Sequence, residues 1–273
     1  MNNKGTLYIV ATPIGNLNEV SFRTIETLKN VKLIACEDTR NTRKLLTKFD
    51  IHNDLFAYHN YNEKTTYSKL IDRLEKGDDI AIVSDAGYPL ISDPGYEIVV
   101  KAIEDGININ VINGPNAGLN ALVGSGLDTN HYFFYGFLNS KQSQASKELH
   151  ELKDMPYTMI FYEAPHRINK TLEIMLEVLG DRRVTIAREL TKIHEEYLRG
   201  HISDFIDKEI KGEIVIVVEG NKEKREYSDE ELLSSMDKLV KEGYKTKEAA
   251  LELSKTCGIS KNYLYNLYLR RTK

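Results

Sequence analysis

The chain has 273 residues, 41% hydrophobic and 29% charged, which gives room for two medium domains, or two plus a small appendage, and argues against a long disordered region. Its net charge of -4 argues against a surface coated in positive potential, although positive charge can still be segregated along the chain. The two cysteines, Cys36 and Cys257, lie far apart without ligand spacing and read as reduced, buried thiols, not as a disulfide or zinc site.

The opening "MNNKGTLYIVATP" has too short an apolar stretch for a signal peptide, and no later run has the length to span a bilayer. The expectation is a soluble, cytoplasmic protein. "TLYIVAT" (Thr6–Thr12) reads as the first strand and empties into "ATPIGNL", a stiff turn able to present backbone amides. "VKLIAC" (Val31–Cys36) is the second and ends in "EDTRNTRKLL". There Asp38 or Thr39 caps a helix that carries Arg40, Arg43 and Lys44 in its first turns. Cations at that end oppose the helix dipole, so the face either meets a bound anion such as phosphate or is simply solvated.

"AYHNYNE" follows, with an isolated His59 of the kind that is more often structural than catalytic. Thr65–Lys76 carries Tyr67, Leu70, Ile71 and Leu74 at helical spacing and closes at Gly77. "DIAIVSD" (Asp79–Asp85) is a strand that runs into "SDAGYPLISDPG". Ser92 or Asp93 suits an N-cap and Pro94 the first helical position, with a helix over Tyr96–Glu104 stopped at Gly106. That leaves Ser84–Ile91 either as a tight crossover or as a loop approaching a ligand at a strand's carboxyl end. "INVI" (Ile109–Ile112) completes a βα alternation, which predicts a mainly parallel sheet covered on both faces.

After "NGPNAG" a second strand set begins: "HYFFYGF" (His131–Phe137), "YTMIFYE" (Tyr157–Glu163), "RVTIAREL" (Arg183–Leu190) and "GEIVIVVEG" (Gly212–Gly220). A helix is expected over Pro165–Leu179, ending at Gly180, in a second α/β domain with more antiparallel pairing. "YEAPHR" and "ARELTKIHEE" place Glu163, Arg167, Arg188 and Glu189 at strand ends, where they either pair with each other or face a cleft. "NKEKREYSDEE" is a charged linker, with Ser228 capping the next helix. The final segment has a helix-turn-helix-like layout, with a stop at Gly258 and a restart at Ser260. From Lys245 to Lys273 it holds seven Lys/Arg against two Glu, with Tyr263, Tyr265 and Tyr268 interleaved. This suits nucleic-acid binding or a solvated helical tail.

G-x-G-x-x-G after a strand, the P-loop, G-x-S-x-G and metal-ligand spacing are all missing from the sequence. What it has is polar strand-end loops able to converge on one crevice. In order, "VATPIGNL", "EDTRNTRKLL", "SDAGYPLISDPG", "FYEAPHR" and "ARELTKIHEE" resemble the ribosomal RNA small-subunit methyltransferase I family of the tetrapyrrole-methylase fold class. The resemblance runs from about Leu7 to Gly220, and the tail is similar to the family's C-terminal helical domain.

That resemblance implies a fold of two α/β domains of the tetrapyrrole-methylase type, over 1–114 and 115–222, with a cofactor cleft between them and a small helical domain over 227–273. It implies S-adenosyl-L-methionine as cofactor, a homodimer, and 2′-O-methylation of a decoding-centre cytidine of 16S rRNA in the small ribosomal subunit. Pro13, Gly15 and Asn16 would lie at the cofactor's edge. Ser84, Asp85, Ala86, Gly87, Tyr88, Pro89 and Ile91 would hold its methionine and ribose parts. The family's Pro-Gly-Pro-Ser-Ala is here Asn113-Gly114-Pro115-Asn116-Ala117, with Gly118 next; Pro115, Asn116, Ala117 and Gly118 would line the site. Tyr162, Glu163 and Ala164, then Arg188, Glu189 and Leu190, would close it from the second domain.

A ribose hydroxyl needs a base to remove its proton, and Glu163, Asp38, Glu37 and His59 are the candidates, none ranked above the others. Arg40, Arg43, Lys44, Arg167 and the tail's Lys261, Arg270 and Arg271 suit RNA phosphates, and Arg188 suits either a phosphate or a carboxylate partner. Two rivals stand beside this reading: a small-molecule methylase of the same fold acting on a tetrapyrrole, and a non-catalytic RNA-binding assembly factor.

Overall fold

The computed structural model describes residues 4–58, 63–222 and 227–271. These form two compact units, 1–221 and 222–273.

The first unit contains two five-stranded sheets. Strands β1 (Thr6–Val10), β2 (Leu33–Cys36), β3 (Leu55–Ala57), β4 (Ile80–Val83) and β5 (Asn108–Ile112) build the first, in the order β3-β2-β4-β1-β5, all parallel. Every residue of β2 and β4 is buried, as expected of central strands covered on both faces. Alternate residues serve opposite cores. Leu7, Ile9, Leu33, Ala35, Ile80 and Ile82 pack with α3 (Glu63–Glu75) and α4 (Tyr96–Glu104), while Val10, Ile34, Cys36, Ala81 and Val83 pack with α1 (Phe22–Asn30) and α2 (Thr39–Lys48). β1 and β4 are neighbours, yet the chain leaves β1 toward β2 and leaves β4 toward β5, on opposite sides. Ligands bind at such a switch point in open α/β sheets.

The second sheet contains β6 (Tyr132–Phe137), β7 (Thr158–Glu163), β8 (Arg183–Arg188), β9 (Glu196–His201) and β10 (Ile214–Val218), in the order β6-β7-β10-β8-β9. Only β6 and β7 pair in parallel, and β10 runs antiparallel to both its neighbours. One face packs on α6 (Gln142–Leu152) and α7 (Ile168–Leu179). The other packs on α5 (Ala117–Ser125) and on Ile14, which the first sheet's β1 loop contributes.

The sequence reading needs four adjustments. β3 and β9 lie at sheet edges and lack the apolar runs that reveal central strands. α7 starts at Ile168, after a turn closed by the Arg167 N–H donating to the Ala164 carbonyl at 2.9 Å, not at Pro165. α4 does cover Tyr96–Glu104, but Gly95 at φ 131° is its N-cap, so neither Ser92 nor Asp93 caps it and Pro94 precedes its first turn. Cys36 is buried, whereas Cys257 is only partly so.

The second unit is a small helical body of α8 (Asp229–Lys241), α9 (Thr246–Cys257) and α10 (Lys261–Arg271) around Leu232, Met236, Ala249, Ala250, Leu253 and Leu264. Ser228 and Glu231 form the capping box anticipated for α8. Among the described residues, no helix is long and apolar enough to cross a membrane.

Candidate active site

Beyond β1 and β4 the chain is knitted by a two-residue antiparallel bridge: Thr12 N–H donates to the Gly87 carbonyl at 2.8 Å, and Gly87 N–H to that of Thr12 at 3.0 Å. Gly87 sits at φ 77°, the left-handed region that glycine enters without a Cβ clash. The Thr12 hydroxyl donates to the Ser84 carbonyl at 3.1 Å, so the loop after β4 is pinned to the loop after β1.

A cavity of about 390 Å³ opens where these loops meet the second sheet. Ile14 comes from the β1 loop, Ala86–Tyr88 and Ile91–Asp93 follow β4, and Asn116 and Ala117 follow β5. From the second sheet come Phe137, ending β6, Tyr162–Pro165, ending β7, and Leu190, after β8. Glu213–Val215 open the reversed strand β10. Carboxyl ends of strands from both sheets therefore face one space. Tyr162 is wedged edge-on between Phe134 and Phe137, with ring centroids 5.0 and 5.5 Å away.

Of the residues anticipated for the cofactor, Ala86, Gly87, Tyr88, Ile91, Asn116, Ala117, Tyr162, Glu163, Ala164 and Leu190 lie on this wall. Asn116 also caps α5, its Oδ1 accepting from Leu119 N–H at 2.8 Å, a task Asn performs as well as the family's Ser. Asn113 accepts the Tyr88 hydroxyl, which in turn accepts Gly114 N–H at 3.2 Å. The two departures from the family pattern thus serve local geometry.

The others are not among the residues that line the cavity. Pro13, Pro89 and Gly118 are buried and Pro115 is half-buried. Gly15 packs against Leu190–Lys192, and Asn16 N–H donates to the Thr191 hydroxyl oxygen. The Ser84 hydroxyl faces the carbonyls of Ala86 and Gly87 at 3.3 Å. Asp85 accepts Asp38 N–H at 3.2 Å and the Asn41 amide at 2.9 Å. Arg188 is paired with Glu196 at 2.8 Å. Glu189, in the left-handed region at φ 50°, accepts from Glu213 N–H and Lys192, which together hold its carboxyl below the usual carboxylate range.

The proposed bases differ sharply. Glu163 is buried, its side chain 1% exposed; Oε1 accepts Ala164 N–H at 2.7 Å, Oε2 accepts the Thr171 hydroxyl, and Arg167 lies 3.4 Å away. Both oxygens of that carboxylate are thus engaged in fixing the turn after β7. Arg167 also donates to the carbonyls of Leu138 and Asn139, so it braces the fold and does not project as a free cation. Asp38 caps α2 and grips Arg40 at 2.7 Å, and those hydrogen bonds hold its carboxyl at about 2. Glu37 is half-buried, and its charge acts on Asp93. His59 lies outside the described residues.

Sequence reasoning missed Ile14, Phe137, Pro165, Glu213–Val215, Ser92 and Asp93. The last two were absorbed by a helix-cap reading of "SDPG", and only the left-handed φ values of Leu90 (72°) and Ser92 (66°) show why that segment turns into the cavity instead. Burial, with the charges of Glu37 and Asp85 nearby, pushes the Asp93 carboxyl up to about 6 against a hydrogen bond from Ser84.

On the flank of α2, Arg40, Arg43 and Lys44 line a shallow surface groove with Thr39 and Thr47. In the helical unit, Lys261 and Arg270 are exposed, while Arg271 pairs with Asp237 at 2.6 Å. Tyr268 donates to Asp237 at 3.0 Å, Tyr263 to Asp229 at 2.7 Å, and Tyr265 packs on the core, so the tail's tyrosines have internal roles.

Residues 6–206 match the family of Tetrapyrrole (Corrin/Porphyrin) Methylases. The chain is 48% identical to the "Ribosomal RNA small subunit methyltransferase I" of Halalkalibacterium halodurans, over 98% of this chain and 96% of that protein. It is 42% identical to the protein of the same name from Bacillus subtilis, over 98% and 95% of the two chains. In structure it is similar to uroporphyrin-III-C-methyltransferase from Thermus thermophilus, with a TM-score of 0.55, 16% identity and coverage of 79% of this chain and 94% of that one. At that identity the likeness speaks for the fold.

Proposed function

The chain belongs to the tetrapyrrole methylase family, among the ribosomal RNA small-subunit methyltransferase I proteins, and from that premise we propose that it is a cytoplasmic S-adenosylmethionine-dependent methyltransferase of 16S rRNA. Its acceptor in this reading is the ribose 2′-oxygen of a decoding-centre cytidine. The observation that carries the proposal is the single crevice built from strand tips of both sheets.

The wall has the chemistry the cofactor needs. Its volume suits a small-molecule site, which typically spans about 300–1,000 Å³. Ile14, Ile91, Leu190 and Val215 offer apolar cover for a purine, Ala86–Tyr88 bring main-chain polar groups, and small residues at 86, 87, 117 and 164 leave room. When bound, S-adenosylmethionine supplies a methyl group already activated on a sulfonium. The protein's own contribution is to hold that methyl in line with the acceptor, to exclude water, and to remove one proton. Asn113 fixes Tyr88, and Glu163 with Arg167 and Thr171 fixes the facing turn, so both walls are pre-set. Arg40, Arg43 and Lys44 supply positive charge for RNA phosphates near the first sheet's loops, and the helical unit adds Lys261 and Arg270.

A homodimer completes the proposal. α5 leaves Leu119 and Val123, one turn apart, 44% and 78% exposed, an apolar stripe that a second copy would cover. Light scattering would report the mass.

Transfer of labelled methyl groups into small ribosomal subunits, in parallel with a porphyrinoid acceptor, tests the function. Label in the RNA, mapped to a 2′-O-methylcytidine, is expected. Label only in the porphyrinoid would favour the small-molecule rival, and RNA binding without any label would favour an assembly factor.

A further inference from the structure

We propose that Asp93 is the general base that takes the hydroxyl proton of the methyl acceptor, an assignment that rests on reading the cavity as a site of methyl transfer to a ribose oxygen.

Of the carboxylates on the cavity wall, Glu163 is tied down by Thr171, Ala164 N–H and Arg167, and Glu213 is paired with Lys192 at 3.1 Å. Asp93 is the third. It is half-buried, with Ser84 as its hydrogen-bond partner. Tyr162 and Glu163, at the end of β7 in the second sheet, line the same cavity as Asp93.

The segment carrying Asp93 is held there against local preference. Leu90 and Ser92 occupy left-handed backbone that L side chains rarely adopt, a strain that persists only where surroundings enforce it. Gly95, at φ 131°, enforces one side: a Cβ there would lie 2.9 Å from Leu90 Cδ1. The bulge of β6 enforces the other, since a Cβ on Gly136 would sit 3.2 Å from Ser92 Oγ. Asp93, in a position well suited to capping a helix, is thereby turned away from that task and onto the cavity wall. Strain of this kind clusters at functional sites.

The electrostatics suit a base. Burial raises the Asp93 carboxyl most, the negative charges of Glu37 and Asp85 add to it, and Ser84 opposes them, which brings the carboxyl to about 6. It is then ionised at neutral pH yet far more basic than an ordinary carboxylate. In the step, the ribose O–H proton passes to the Asp93 carboxylate as the oxygen's electron pair forms the O–CH₃ bond. The S–CH₃ bond breaks with its pair left on sulfur, and the proton is later released to water.

Asp93→Asn keeps the shape and removes the basicity. Its methyl-transfer rate is expected to fall at least about 100-fold, with cofactor affinity by calorimetry within about threefold of the parent. The residual rate should be flat with pH, where the parent rises about tenfold per pH unit below about pH 6. Formate should partly restore Asp93→Ala. Independently of activity, carboxyl NMR of the parent protein should show one aspartate titrating near pH 6. An Asp93→Asn rate within about fivefold of the parent, or no such resonance in the parent, overturns the assignment. A parent enzyme that transfers no methyl to ribosomal RNA overturns the function itself, whereas an active parent with an equally active Asp93→Asn overturns only the base.

Discussion

The Asn16 main-chain N–H donates a hydrogen bond of 3.0 Å to the Thr191 side-chain oxygen, joining the loop after β1 to the loop after β8 and so one sheet to the other. Gly15 makes the approach feasible: a Cβ there would lie 2.7 Å from Lys192 Cγ and 3.0 Å from the Leu190 carbonyl. Gly15→Val should cost about 1–3 kcal/mol through overpacking and, by displacing the cavity residue Leu190, weaken cofactor binding. Thermal melting and calorimetry together check this; a variant with unchanged melting and affinity would contradict it.

Glu163 is a brace whose loss is felt in stability. Glu163→Gln takes the charge partner from Arg167, whose side chain is 24% exposed and keeps its carbonyl acceptors, at a cost of about 1–3 kcal/mol. Thr171→Val, removing the other partner, should cost about 1–3 kcal/mol. Denaturant titration of the two variants measures both. In neither should the pH profile of the surviving activity lose its low-pH limb.

Asp93 links function to stability with a definite sign. Its folded carboxyl titrates at about 6, above the ordinary 3.8, so the native state binds more protons than the unfolded chain across that window. Its contribution therefore turns unfavourable as pH rises from about 4 to about 6 and is constant above. The ceiling is about 3 kcal/mol, reduced by solvent at a half-buried group. Asp93→Asn should accordingly melt higher than the parent at pH 7.5 and equally at about pH 4. Asp38, held at about 2 by Arg40, works oppositely: it stabilises above the ordinary carboxylate pKa and loses that effect as pH falls toward 2.

Arg43 and Lys44 are exposed on α2, where Lys44 donates to the Asn41 side-chain oxygen at 3.1 Å. The double change to Gln should weaken RNA binding at low salt and lower the slope of log affinity against log salt by about 2, leaving cofactor affinity unchanged. Filter binding across a salt series is the measurement. An unaltered slope would remove α2 from the RNA interface.

Removal of Tyr227–Lys273 takes away a body with its own core and its exposed Lys261 and Arg270. RNA affinity should fall far more than cofactor affinity. Equal losses would assign those helices a supporting role instead.

The sequence by itself determined the elements that are settled locally. Alternation of apolar residues along β1 and the continuous runs of β2 and β4 are written in the chain, because a strand's two faces meet different cores. Asp38 and Ser228 were legible as caps because capping is completed within one helical turn. The motif order was enough to locate the ring of loops, and ten of the anticipated cofactor residues stand on the cavity wall.

Only the tertiary structure decided which polar side chains face that cavity. Glu163, Arg167 and Arg188 are equally polar in sequence, and each is occupied by a partner that folding supplies: Thr171 for Glu163, the Leu138 and Asn139 carbonyls for Arg167, and Glu196 across the β8–β9 pair for Arg188. Asp93 had a good local reading as a cap, and it was overruled by packing at Gly95, the N-cap of α4, and at Gly136 in β6 of the second sheet. Partner choice for a charged side chain is a nonlocal free-energy balance between desolvation and pairing, so it is settled when distant segments meet and not before.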